Sequence, residues 1–429
     1  MRLISLFFLI TITCLSALET ITIDPSQQTG AKVEYFGWDL KEWKNNATPI
    51  RKAEALYGEN PANIVRVPIL GLAHKKNGSI DKELYGPMLE SIKNIKSTNS
   101  DVKIFASIKL KKEKTFPKWI DSAENGIIFK VPVKRPTPKK YAKIVADYIE
   151  WLRKHRIAID FLGLNNEVSD ALTPELYIET ATLLMEELKQ RRVPEKYSSF
   201  KFVAGEGFGI PISVKYVKKI KEKQALQYAD IFGSHFYPDL NSGAIKDWDT
   251  LAAIDPSRPT WHTEIHMRSS DQPTKNINKV RNALALLFKT NQSGSQGYIW
   301  WAGTPDETLF SNLIRSKMII SLLNGSCIQT SGEYLAKDNK AGKEIAQATR
   351  VDDTVWLWYF NPNSKKDKIT VNLTSGRIKK ISGEYWTGGK KVTKKTHKKL
   401  KIKYSSGDDF IIQDLPSASI GLVKIELKK

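Results

Sequence analysis

Up to about residue 325, short apolar runs alternate with longer stretches in which apolar residues recur every three to four positions. Eight of the short runs read as strands. They are Tyr35 to Leu40, Asn63 to Ile69, Val102 to Ile108, Ile159 to Leu164, Lys201 to Ala204, Ile231 to His235, Pro259 to Thr263 and Gly297 to Trp301. Helix starts are marked between them. Thr137-Pro138 opens Tyr141 to His155, and Thr173-Pro174 opens Leu176 to Arg191. Proline suits a first turn because the N–H it lacks has no helical partner there. Strand and helix in alternation predict parallel β/α units. Eight such units close on themselves, so the expected class is α/β, a (β/α)8 barrel over residues 35–325.

Beyond Leu323-Asn324-Gly325 the helical spacing stops. Val355 to Phe360, Lys368 to Leu373, Arg377 to Tyr385, Lys399 to Tyr404, Asp409 to Ile412 and Ser419 to Ile425 read as short strands. They are separated by the turn sequences Asn361-Pro362-Asn363, Thr387-Gly388-Gly389 and Ser405-Ser406-Gly407. Residues 326–429 are therefore expected to form an antiparallel, β-sandwich-like module. One more strand, Leu18 to Ile23, precedes the barrel, and residues 18–34 are expected to pair with that module. The 429 residues suit a barrel of about 250 residues with a smaller companion. There is no repeat beyond the β/α alternation and no low-complexity tail.

Residues 1–17 have the pattern of a cleavable signal peptide: Arg2, the apolar run Leu3 to Leu15, then Ser16-Ala17. The expected destination is secreted or periplasmic. The run is too short to span a membrane, and no later one is long enough. Thr11-Ile12-Thr13-Cys14 is a poor lipoprotein signal. Cleavage after Ala17 removes Cys14 and leaves Cys327 alone, so no intramolecular disulfide is expected and Cys327 reads as a small buried apolar residue. No Cys and His spacing suits zinc, and neither a metal nor a cofactor is expected. Sequons stand at Asn46, Asn77, Asn291, Asn324 and Asn372, with meaning only in a eukaryotic secretory host.

The chemistry is carried by two glutamates that end strand-like runs. Glu167 closes Ile159-Asp160-Phe161-Leu162-Gly163-Leu164-Asn165-Asn166-Glu167, on the fourth run. Glu264 closes Arg258-Pro259-Thr260-Trp261-His262-Thr263-Glu264, on the seventh. The C-terminal ends of barrel strands open into one pocket. Two opposed carboxyl groups there are the machinery of glycoside hydrolysis. Glu167 is read as the acid/base that protonates the leaving oxygen, and Asn166 as a partner for the sugar 2-hydroxyl. Glu264 is read as the nucleophile. The competing reading of the pair is two ordinary exposed carboxylates at strand ends.

With these residues in place the chain resembles the retaining barrel glycosidases of clan A, which carry Asn-Glu after strand four and a nucleophilic Glu after strand seven. Within the clan it is most similar to glycoside hydrolase family 30. Lys103-Ile104-Phe105-Ala106-Ser107 followed by Phe116-Pro117-Lys118-Trp119 resembles that family's third-strand segment. Tyr141 to Asn166 parallels its helix and fourth strand, and a β module built from both chain ends also matches. Three features depart from the pattern. Val168 follows Glu167 where the family usually has proline, Tyr35-Phe36-Gly37-Trp38-Asp39 replaces its opening Gly-rich strand, and the third-strand loop carries Lys109, Lys111, Lys112 and Lys114.

Other residues fit the same pocket. Arg66, where the clan usually has arginine after strand two, is placed to hold the nucleophile's charge; the alternative is a buried structural ion pair. His235 and Tyr237 end the sixth run, and a tyrosine hydroxyl donating to Glu264 would keep it ionised. Trp301 is expected to floor the sugar site, with Trp300 turned into the core by strand alternation. Trp38, Asp39, Glu206 and His266 are further candidates, and His262 reads as buried support.

The net charge is +21 and the pI about 9.6. Much of the excess lies in Lys390-Lys391, Lys394-Lys395, Lys398-Lys399, Lys401 and Lys403. These read either as a solvated strand surface or as an attraction for a polyanion such as an acidic or sulfated polysaccharide. Nucleic acid is not an expected partner: no recognised binding motif is present, and the export pattern argues against it. The expected function is a retaining β-glycoside hydrolase acting as a monomer on a carbohydrate, with an anionic polymer among the candidates. An endo-acting polysaccharide hydrolase and an exo-acting glucosidase-like enzyme, glycolipid cleavage included, are the two forms considered. The rivals are a catalytically inactive carbohydrate-binding protein and an envelope-attachment protein on the same scaffold.

Overall fold

The computed structural model describes residues 19–40, 50–58, 62–111, 114–237, 245–265, 277–301, 312–332, 346–361, 367–388, 396–405 and 408–428. Tyr35–Asp39, Ile64–Ile69, Lys103–Ile108, Phe161–Gly163, Lys201–Gly207, Ile231–Phe236, Thr260–Ile265 and Ser295–Trp300 form a closed parallel barrel, each strand bonded to the next in chain order and the eighth to the first. Helices separate the strands, among them Lys82–Thr98, Pro138–Lys154, Pro174–Gln190, Ile210–Glu222 and Ile277–Gln292, and Asn312–Leu322 follows the eighth. Pro138 and Pro174 do open their helices. No helix among the described residues is long and apolar enough to cross a membrane.

Alternation along each strand sorts side chains into two layers. Tyr35, Ile64, Phe105, Phe161, Val203, Ile231, Trp261 and Ile299, one from each strand, fill the barrel interior. Trp261 dominates that layer, packed by Tyr35 and Phe161 at centroid distances of 4.9 and 4.7 Å. It fits because its neighbour is Gly297; a Cβ there would stand 2.6 Å from the indole. The opposite set, including Phe36, Val65, Ile104, Leu162, Phe232 and Tyr298, packs beneath the helices.

Trp38 belongs to this outer layer. It is 2% exposed and lies edge-on to Tyr57, so it does not line the pocket as expected. The parity that turns Asp39 inward turns its neighbour outward. His262 is likewise outward, stacked on Trp248 at 3.8 Å, and burial holds its imidazole neutral, with a pKa well below the ordinary range.

A second sheet has ten strands, in the order His397–Lys399, Ile378–Thr387, Ser419–Leu427, Thr354–Asn361, Ala346–Val351, Ser326–Gly332, Glu19–Gln28, Asp367–Leu373, Asp409–Leu415 and Lys401–Tyr404. Its pairings are antiparallel except that Glu19–Gln28 runs parallel to Asp367–Leu373. Its two edge strands are consecutive in the chain and meet at Leu400, whose N–H donates to Gly383 O at 2.9 Å. The sheet thus curls around its own core of Val355, Leu357, Val371, Phe410, Ile412, Val423 and Ile425. The alternate residues Trp356, Trp358, Phe360, Trp386, Ile420 and Leu422 join the core beneath the barrel helices. Trp358 Nε1 also donates to Ser321 Oγ at 3.0 Å, on the last helix.

Two strands here, Ser326–Gly332 and Ala346–Val351, were not expected from the sequence, nor was the hairpin Asp121–Ile128 and Val131–Pro136 after the third barrel strand. Lys398, Lys399, Lys401 and Lys403 are exposed while Leu400 and Ile402 face the module core. Lys390, Lys391, Lys394 and Lys395 lie outside the described residues. Asn291 is fully buried, its side chain tied to Ala31 O, Ser295 O and Cys327 N, so that sequon cannot be glycosylated in the folded protein. Cys327 is free and buried.

Candidate active site

Above the Trp261 layer the interior turns polar. Asp39, Arg66, Ser107, Glu206 and Glu264 converge from five strands. Arg66 is 3% exposed and sits at the centre, its guanidinium carbon 5.5 Å from the Phe105 ring centroid. Nη1 donates to Asp39 Oδ2 at 3.0 Å and Glu264 Oε2 at 2.7 Å. Nη2 donates to Asn166 Oδ1 at 2.6 Å, Glu206 Oε1 at 2.9 Å and Ser107 Oγ at 3.2 Å. Burial alone would lower its pKa, but Glu206, Asp39 and Glu264 outweigh that, so the guanidinium stays charged.

Glu264 reaches the interior because its strand breaks step. Trp261 points in and His262 out, so strict alternation would turn Glu264 out as well. The register against Ile231–Phe236 shifts between His262 and Glu264, pairing His262 with Ser234 and then Glu264 with His235. Glu264 therefore faces in, and Ile265 returns to the outer core. A bulge that re-aims a side chain beside a site is a common device. A second irregularity, between Gly205 and Gly207, sets Glu206 at φ 37° and drives its carboxylate into the wall. Gly163 leaves the space; a Cβ there would stand 1.8 Å from Glu206 Oε2. Burial raises the Glu206 pKa, against the lowering effect of Arg66, His235 and the Ser107 hydroxyl.

Glu167 stands on a turn just past the fourth strand, at φ 57°. The turn is held from several sides. Its N–H donates to Glu206 O at 2.9 Å, Asn165 Nδ2 to Gly205 O at 2.7 Å, Tyr141 Oη to Leu164 O at 2.9 Å and Tyr216 Oη to Leu172 O at 2.8 Å. Val168, in the place of the expected proline, is fully buried. A proline there would disfavour a helical-type conformation at the preceding residue, and valine permits the left-handed one that Glu167 adopts.

The two glutamates face each other. One oxygen of each and one ring nitrogen of His235 all lie within 4.8 Å of one another. His235 Nδ1 is 2.7 Å from Glu167 Oε1. The Tyr237 hydroxyl donates to Glu264 Oε1 and lies 3.4 Å from Glu167 Oε1. Burial, then the charges of Glu264 and Glu167, push the phenol far above its ordinary pKa, so it remains a neutral donor. A cation held by Glu167, His235 and Glu264 would share Glu264 with a guanidinium already 2.7 Å away, so this donor set suits hydrogen bonding better than metal binding.

The structure thus gathers Asp39, Arg66, Asn166, Glu167, Glu206, His235, Tyr237 and Glu264. Asn166 gives its carbonyl oxygen to Arg66, which leaves its NH2 group as a donor. Trp301 lies just past the eighth strand, partly exposed, its N–H donating to Ile265 O at 2.9 Å. Trp300 is core. His266 lies outside the described residues. Ser107 was overlooked, although it stands two residues beyond inward-facing Phe105 and is the polar end of an apolar strand.

No protein family matches the sequence, and no curated protein sequence matches it. Solved structures do match the fold. The family 30, subfamily 8 xylanase Xyn30A of Clostridium acetobutylicum superposes with a TM-score of 0.69 at 15% identity, covering 95% of this chain and 99% of that one. The catalytic domain of family 30 xylanase C from Talaromyces cellulolyticus gives 0.66 at 16%, covering 95% and 100%. CelM2, a bifunctional glucanase-xylanase from a metagenome library, gives 0.62 at 11%, covering 96% and 99%. This chain has the fold of glycoside hydrolase family 30.

Proposed function

We propose that this protein is a retaining β-glycoside hydrolase, with Glu264 as nucleophile and Glu167 as acid/base. The observation that carries the reading is the facing pair, within 4.8 Å and joined through Tyr237. Retaining enzymes hold their carboxyl groups about 5–5.5 Å apart, whereas inverting ones need room for a water between them. The asymmetry of their partners supports this division of roles. Glu264 accepts from Arg66 and Tyr237, which favour its ionised form, and Glu167 has neither a guanidinium nor an ammonium among its described ion pairs.

A Glu264 oxygen attacks the anomeric carbon, the glycosidic C–O bond breaks, and the Glu167 proton goes to the departing oxygen. Water then attacks the same carbon, Glu167 takes a proton from it, and the ester to Glu264 breaks. The sugar leaves with its β configuration kept. The catalytic set comes from one chain, so no second copy is needed. Residues 1–17 fit export, and a secreted or periplasmic location agrees with a carbohydrate substrate.

The test is reducing-end release from a panel of neutral and anionic β-glycans, with NMR of the first-formed anomer. Xylan and a β-linked glucan head the panel because structural neighbours are named as xylanases and as a glucanase-xylanase. β-Anomer is expected first; α-anomer, or no hydrolysis of any glycan, overturns the proposal.

Glu167→Ala tests the acid/base. Glycan hydrolysis should fall by about 10²–10⁴-fold, the usual worth of a positioned proton donor. Aryl glycosides with good leaving groups should lose far less in the first step, and azide should restore turnover with a β-glycosyl azide as product. Azide rescue confined to Glu264 variants would reverse the roles.

The rim lysines make a separate prediction. Lys111 and Lys114 are exposed and Lys109 is half-buried, all just after the third strand; Lys112 lies outside the described residues. Salt screens exposed charges over roughly 8 Å at physiological strength. KM for an anionic β-glycan should rise with salt, and Lys→Gln at 109, 111 and 114 should flatten that rise. Equal salt dependence with a neutral glycan would assign these lysines to plain solvation.

A further inference from the structure

The hairpin Asp121–Ile128 and Val131–Pro136 turns through two residues, Phe129 and Lys130, with φ of 47° and 66°. Those signs belong to a type I′ turn, which Asn and Gly adopt readily and a bulky side chain does not. Backbone strain of this kind persists where the surroundings enforce it and gathers at functional sites. The first of the two strained residues is aromatic, and Phe129 is 41% exposed.

The hairpin is fixed against the acid/base turn. A Cβ at Gly126 would stand 2.8 Å from Ala171 Cα and 3.0 Å from Asp170 O, only a few residues past Glu167. Ile128 is 1% exposed and anchors the strand in the main core. From this base the Phe129 ring meets Phe208 edge-on, with centroids 5.1 Å apart. Phe208 stacks on Tyr237 at 5.3 Å and 26°. Tyr237 in turn bonds Glu264 and approaches Glu167. Three rings in series therefore lead from the carboxylates to the hairpin tip, along the flank that carries Glu167.

We infer that Phe129 and Phe208 form a binding shelf for the sugar unit on the leaving-group side of the scissile bond. The inference rests on the glycosidase reading above. A proton donor must face the departing oxygen, so what departs lies on Glu167's flank. The shelf is aromatic but open to water, and Glu124, Asn125 and Lys130 are exposed on the same hairpin. That mixture suits a hydroxylated ring with an apolar face better than a lipid chain.

The test compares wild type, Phe129→Ala and Phe129→Gly. The probes are the β-glycosyl fluoride and the β-linked tetrasaccharide of one sugar, xylose first and glucose second, with dodecyl β-glucoside as a lipid-like leaving group. Fluoride cannot reach the shelf. For the tetrasaccharide, kcat/KM should fall about tenfold in both variants, chiefly through KM, as expected for loss of one aromatic contact. For the fluoride it should change by less than about twofold, since nothing that touches it is altered. Phe129→Gly should melt no lower than wild type, because glycine adopts positive φ freely. Equal losses on fluoride and tetrasaccharide, or no loss on either, overturn the shelf. So does a Phe129→Gly protein that melts lower with its tetrasaccharide-to-fluoride ratio unchanged, and a loss confined to the dodecyl glycoside overturns its assignment to sugar. A wild type inactive on every probe removes the glycosidase reading itself.

Discussion

Glu264→Gln is expected to leave a folded protein whose turnover is lower by roughly a thousandfold or more, the scale seen when a covalent nucleophile is lost. The amide has nearly the shape of the carboxylate. Its oxygen can still accept from Arg66 Nη1, and its NH2 can donate to Tyr237 once that hydroxyl rotates. The variant thus keeps the site's contacts and loses the attacking charge. A 2-deoxy-2-fluoro β-glycoside with a good leaving group should label wild type on the peptide containing Glu264, as read by mass spectrometry, and should leave Glu264→Gln unlabelled. A label on another residue, or near-normal turnover in the variant, would unseat Glu264.

Arg66→Met should be the most damaging single change to stability. Arg66 pairs with Asp39, Glu206 and Glu264, all buried. Removing one partner of a buried pair costs about 3–5 kcal/mol, and here three carboxylates lose the same guanidinium. The loss should depend on pH. Burial holds the Glu206 pKa above its ordinary 4.5, so the folded state binds that proton more tightly than the unfolded one. Its contribution to stability therefore declines as pH climbs from the ordinary value through the folded one. Without Arg66, the largest effect opposing burial is gone and the folded value moves further up. Urea titrations of both proteins at pH 5 and pH 8 should show a larger deficit at pH 8. A deficit independent of pH would mean that Glu206 does not feel the missing charge.

The barrel was legible because each strand is a distinct apolar run with a helix signature behind it. The position of Glu264 at a strand end was legible too. Its inward aim was not, because that depends on a slip in pairing with a strand some thirty residues earlier, which alternation alone would have contradicted. Trp38 shows the converse. Parity read back from Asp39 would have placed it outside the pocket. The hairpin was hidden by its own chemistry. Asn125-Gly126, the residues that suggest a turn, lie within a strand, where the glycine serves close packing against Ala171. The true turn is Phe-Lys, which carries no turn signal. Ala346–Val351 escaped notice because its buried residues, Ala346, Ala348 and Thr349, are small or polar rather than the large β-branched residues that mark a strand.

The strand Glu19–Gln28 lies inside the ten-stranded sheet, between Ser326–Gly332 and Asp367–Leu373. During synthesis that strand emerges early and its neighbours late. Ile23 and Thr374, bonded across this junction, are 351 positions apart. At the usual pace of about 5–20 residues per second the early strand waits roughly 20–70 s for its partners. Each barrel strand from the second to the eighth, in contrast, bonds to the strand just before it in the chain, so the barrel can assemble progressively. The ten-stranded sheet cannot. Its completion is a late, long-range closure with a high contact order. Until then the strand stays unpaired, with Ile21 and Ile23, both fully buried in the finished sheet, left open to water.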